Sequence, residues 1–90
     1  MLSFLPKSPS EIQDELKAKF KAKRKALKLT QEQLAIKSGV SLGSLKRFEA
    51  SGQISLESLL KLAFILECLG DFDGVCQQKE EMPKSIEDLI

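Results

Sequence analysis

The architecture of this chain is written in residues 30–49, TQEQLAIKSGVSLGSLKRFE. Thr30 with Gln33 three residues later forms a capping-box pattern, which predicts a helix starting at Gln31. Leu34 and Ala35 give that helix an apolar inner side, and the small Ala35 permits close approach of a neighbour. Gly39 supplies a backbone able to turn left-handed and end the helix. Val40 is expected to plug the corner, and Ser41 to cap a second helix over about 42–50. On that second helix Leu45 and Phe48 lie three apart and face inward, while Gly43, Lys46 and Arg47 point the other way. The result is helix, tight turn, helix, with a polar and basic face of the kind that insertion into a DNA major groove requires.

Upstream of this stretch, Ser10 with Gln13 predicts a capping box that starts a first helix at about Glu11. Its apolar stripe is Ile12, Leu16, Phe20 and Leu27, and six lysines from Lys17 to Lys28 coat the remainder. Arg24 lies at the margin of that stripe. Residues 1–9, with Pro6 and Pro9, are expected as a flexible arm. Past Ser51-Gly52, Ser55 caps a fourth helix, LESLLKLAFILECLG, too apolar for a single buried stripe. Leu56, Leu59, Leu60, Ala63 and Leu66 suffice for a core, which leaves Leu62, Phe64, Ile65 and Leu69 over. These four are assigned to a dimer contact, with a fifth segment folding over them as the alternative. After Gly70 the composition shifts, and Phe72 and Val75 could fold back over helix four. The organisation predicted is an arm over 1–9, a helical domain over 10–70 and an acidic tail over 71–90, with no strand.

This pattern resembles the Xre family, the lambda-repressor-like helix-turn-helix proteins of bacteria and their phages. The resemblance covers residues 17 to 66 and rests on LTQEQLA, on GVS and on the RFE that ends at Glu49. It implies an all-α, compact four- to five-helix lambda-repressor-like domain that binds operator DNA as a homodimer and represses transcription. Gln31 matches the family position that bonds a backbone phosphate. Arg24 matches a position that pairs with the acid ending the recognition helix, here Glu49. Ser41 and Ser44 are short donors at the start of that helix, each also suited to capping. Arg47 is the best base reader, since its fork suits guanine O6 and N7, and Lys46 suits phosphate. Leu42 and Gly43 stand where many relatives carry Gln, Arg or Ser, so only van der Waals contact is expected there, with DNA shape carrying more of the choice.

Composition agrees with a small DNA reader and argues against other classes. Through Lys61, Lys and Arg outnumber Asp and Glu twelve to six; beyond it the ratio is two to seven. The basic part engages phosphate, whereas the acidic tail would be repelled and suits a protein partner. The layout of a short helix-turn-helix domain followed by LGDFDGV…PKSIEDLI looks like HipB-type antitoxins, which partner HipA-type serine/threonine kinases. It therefore implies an antitoxin that represses its own operon, with a stand-alone phage or chromosomal repressor as the alternative. A pure protein-interaction module is the third reading. The chain has no His, and its two cysteines, Cys68 and Cys76, are expected as free thiols. No catalytic residue, metal site or cofactor is expected. No apolar run is long enough for a membrane span. The opening MLSFLPKSPS lacks the layout of a secretory leader, so a bacterial cytoplasmic location is expected, on the nucleoid when operator-bound.

Overall fold

The computed structural model describes residues 7–78, and within them it is helical with no strand. Four α-helices run Pro9–Ala26 (α1), Gln31–Ser38 (α2), Leu42–Ser51 (α3) and Leu56–Ile65 (α4). A 3-10 helix over Leu69–Gly74 follows, so an ordered element lies across the boundary drawn between residues 70 and 71. Of the arm expected over 1–9, residues 1–6 lie outside the described residues, as does the tail beyond residue 78, whereas Ser8 caps α1 and Pro9 is its first residue.

Each α-helix starts on a side-chain cap. Thr30 and Gln33 form the reciprocal box at α2, and Ser41 and Ser55 accept from Ser44 N–H and Ser58 N–H at α3 and α4. At α1 the cap is Ser8 with Glu11, not Ser10 with Gln13, and the helix starts two residues earlier than expected. Both pairs fit the serine-x-x-acid-or-amide pattern. Pro9 decides between them, because a proline at the first helical position is preorganised for the helix and has no N–H to satisfy.

The ends of α1 and α4 share a different device. Leu29 N–H reaches back to Arg24 O and Lys28 N–H to Lys25 O; Cys68 N–H and Glu67 N–H do the same to Ala63 O and Phe64 O. Both closures require a left-handed residue, supplied by Lys28 (φ 59°) and Glu67 (φ 65°) rather than by glycine.

The core joins Phe20 of α1, Leu34 and Ala35 of α2, Val40 of the turn, Leu45 and Phe48 of α3, and Leu59, Leu62, Ala63 and Leu66 of and just past α4. Phe20 and Phe48 meet edge to face, ring centroids 5.5 Å apart. Two assignments in helix four are corrected here. Leu62 is fully buried and belongs to the core, not to a dimer surface, whereas Leu56 is 67% exposed and does not. The inward stripe is 59, 62, 63 and 66, which is the helical repeat turned to face α2. Among the other residues assigned to the dimer face, Ile65 is half-buried against the core, Leu69 is partly exposed and Phe64 is 67% exposed. Phe72, from the 3-10 helix, also packs against the core, while Val75 is exposed. Ile12 near the start of α1 and Leu27 just past its end are exposed, so the expected stripe buries only its middle.

Candidate nucleic-acid interface

The turn between α2 and α3 is built by short-range hydrogen bonds. Gly39 takes φ 78°, and its N–H closes α2 onto Ala35 O at 2.9 Å. Val40 N–H donates to Ser38 Oγ at 3.1 Å, and the Val40 side chain is buried in the corner. Ser41 Oγ accepts from Ser44 N–H at 3.1 Å and donates to Ser44 Oγ at 2.9 Å. Ser41 is therefore committed to capping, and Ser44 keeps its own hydroxyl proton for an outside acceptor.

With Leu45 and Phe48 buried, α3 turns Gly43, Ser44, Lys46 and Arg47 to solvent. Leu42, the first residue of the helix, is half-buried and packs on the core, so little of it is left for a base contact. At Gly43 an added Cβ would meet nothing within 4 Å, which makes the bare position an open place on the exposed face rather than a packing requirement.

Behind this face, α1 is fastened to the end of α3. Arg24 Nε donates to Glu49 Oε2 at 2.7 Å and Nη2 donates to Oε1 at 3.0 Å, with the two side chains only 9% and 5% exposed. Arg24 Nη1 also donates to Leu29 O at 2.8 Å, which holds the loop leading into α2. Gln31 Nε2 donates to Glu49 Oε1 at 2.9 Å. The carboxylate thus joins α1, α2 and α3, and the second Gln31 amide hydrogen remains for another acceptor. Burial by itself would raise the Glu49 pKa. Hydrogen bonds from Arg24 and Gln31, together with the fields of Arg24 and Lys21, outweigh it and hold the group below its ordinary value.

The turn after α3 carries a contact that residue order does not foreshadow. Arg47 Nε and Nη2 both donate to Gln53 Oε1, at 3.1 and 2.6 Å. No periodicity or motif links positions 47 and 53, because they meet only after the chain reverses at Gly52. Past α4, burial and the neighbouring Asp71 push the pKa of the Cys68 thiol up, which disfavours its thiolate, while Cys76 is a free, exposed thiol. Among the described residues no group of His, Cys, Asp and Glu could hold a metal ion, and no helix is long and apolar enough to cross a membrane.

Comparison with known proteins agrees with this geometry. The helix-turn-helix family HTH_3 matches over residues 20–68, from the middle of α1 to just past α4. The chain belongs to this Xre-like helix-turn-helix family, and it is a DNA-binding protein of the transcription-regulator class. No curated relative and no solved structure matches the chain.

Proposed function

We propose that the chain is a sequence-specific transcriptional repressor that binds its operator as a dimer, with α3 lying in the major groove. The observation that carries this reading is the exposed row Gly43, Ser44, Lys46 and Arg47, held rigid from behind by the Arg24–Glu49–Gln31 junction. In this reading Arg47 reads guanine through a bidentate fork, while Lys46, Ser44 and the free Gln31 amide hydrogen contact phosphate. Ser41 acts through its cap, Gly43 lines the approach to the bases, and Leu42 offers them only the part of its side chain that the core leaves uncovered. A two-fold dimer places its recognition helices about 34 Å apart on one face of the duplex. Phe64 and Leu69, both exposed apolar residues, are the side chains assigned to that contact.

The acidic segment that follows the basic helices supports the narrower reading, an antitoxin that represses its own operon and holds a HipA-type kinase toxin. The cytoplasm, on the nucleoid when bound, is the matching location.

The test is selection of duplexes from a random pool, followed by affinity measurements on Arg47→Ala. The expected result is loss of about 1–3 kcal/mol of discrimination at one guanine, with the fold intact. Failure of the unaltered chain to enrich any sequence overturns the proposal. Co-expression with the adjoining gene and capture of the complex separates antitoxin from stand-alone repressor.

A further inference from the structure

A closed ring of hydrogen bonds surrounds the residue proposed to read guanine. Ser51 Oγ donates to Arg47 O at 2.8 Å, and Gln53 N–H donates to Ser51 Oγ at 3.2 Å. Arg47 completes the ring through its two bonds to Gln53 Oε1. The turn that makes this possible is fixed in place. Gly52 has φ 84°, and a Cβ there would press on Gln13 Cβ at 3.3 Å and on Gln13 O at 3.4 Å. Gln13 Nε2 in turn donates to Gly52 O at 3.4 Å, which ties the turn to α1. Gln53 therefore leaves the backbone in a direction set by α1 and α3 together.

A guanidinium has two edges that can each engage a pair of acceptors, Nε with Nη2 along the side and Nη1 with Nη2 at the end. Gln53 Oε1 occupies the side edge with a single oxygen. Nη1 and the outer hydrogen of Nη2 are left as a parallel pair, the geometry that meets guanine O6 and N7. We infer that Gln53 is a positioning residue that determines specificity by holding Arg47 end-on to its base. The inference rests on the proposed role of Arg47. Two properties of Gln53 suit the task. Its amide oxygen is uncharged, so it orients the cation without neutralising it before DNA arrives. It also restricts a side chain that otherwise loses much rotamer freedom on binding.

The test uses the full chain and the duplex it selects from a random pool. Arg47→Ala first identifies the base pair whose replacement no longer matters. The discrimination ratio at that pair is then measured for Gln53→Ala and Gln53→Glu, beside affinity for random-sequence duplex. Gln53 is exposed, so both variants are expected to melt like the unaltered chain. For Gln53→Ala the expected ratio is about three- to tenfold lower, the worth of an ordinary hydrogen bond, with random-sequence affinity unchanged. Gln53→Glu, which still offers an oxygen to the side edge, is expected to keep the ratio while binding every duplex more weakly, because its charge opposes phosphate. A merely structural role would not separate the two quantities. An unchanged ratio in Gln53→Ala, with Arg47→Ala losing it, overturns this inference alone. A chain that selects no sequence overturns the reading of Arg47 as well.

Discussion

Arg24 and Glu49, twenty-five residues apart, face each other as a two-bond pair at 2.7 and 3.0 Å with almost no solvent access. One carboxylate and one guanidinium so placed do more than neutralise each other. The remaining donors of Arg24 hold the α1–α2 loop through Leu29 O, and the remaining lone pairs of Glu49 hold Gln31. The angle between the recognition helix and its support is therefore set by a polar junction at the edge of an otherwise apolar core.

Truncating either partner strands the other. Arg24→Ala or Glu49→Ala is expected to destabilise the fold by about 3–5 kcal/mol in denaturant titrations, and the double substitution Arg24→Met with Glu49→Leu by much less. Equal losses below about 1 kcal/mol for both single variants would place the pair among ordinary surface ion pairs.

The depressed Glu49 pKa makes part of the stability pH-dependent. The folded protein binds fewer protons at this group than the unfolded chain, whose carboxyl titrates near 4.5. Its contribution is therefore fully present above that pH and is lost as pH falls through the lower folded value. Unfolding midpoints followed from pH 6 downward are expected to fall in that window, and Glu49→Gln to flatten the slope there. An identical slope in the variant would assign the acid sensitivity to other carboxylates.

Glu67 adopts φ 65° just past α4, and its negative charge lies at the C-terminal end of that helix. Both features are unfavourable. Glu67→Gly is expected to add about 1 kcal/mol and raise the melting temperature by about 4–8 °C. A lower melting temperature would show that Glu67 makes a contact worth more than its backbone strain.

Gly43 lies within α3 with open space where a Cβ would go. Gly43→Ala is expected to stabilise the fold by about 0.5–1 kcal/mol while weakening operator binding, because the added methyl stands on the face proposed to approach the bases. Binding that improves in step with stability would mean that α3 does not come that close to DNA.

Leu62 and Phe64, two residues apart on α4, are expected to behave oppositely. Leu62→Ala opens a cavity in the core and is expected to cost about 2–5 kcal/mol. Phe64→Glu is expected to leave the melting temperature nearly unchanged and to give monomers by light scattering if the exposed face of α4 makes the dimer. A Phe64→Glu protein that remains dimeric would place the contact elsewhere.

Local chemistry, legible residue by residue, determined much of this protein. The Thr30–Gln33 box, the left-handed Gly39, the Ser41 cap and the inward pair Leu45 and Phe48 each depend on neighbours within four positions, so the helix-turn-helix and its outward face followed from order alone. Tertiary structure decided what local order left equivalent. Helix four is apolar on nearly every side, so periodicity could not choose its phase, and packing against α2 turned Leu62 inward and Leu56 outward. Two capping boxes were possible at α1, and the backbone preference of Pro9 selected Ser8. The Gln31–Glu49 hydrogen bond arises only once α2 and α3 pack together, and the Arg47–Gln53 bonds only once the chain reverses at Gly52, because a polar side chain carries no mark of the partner that folding will place beside it.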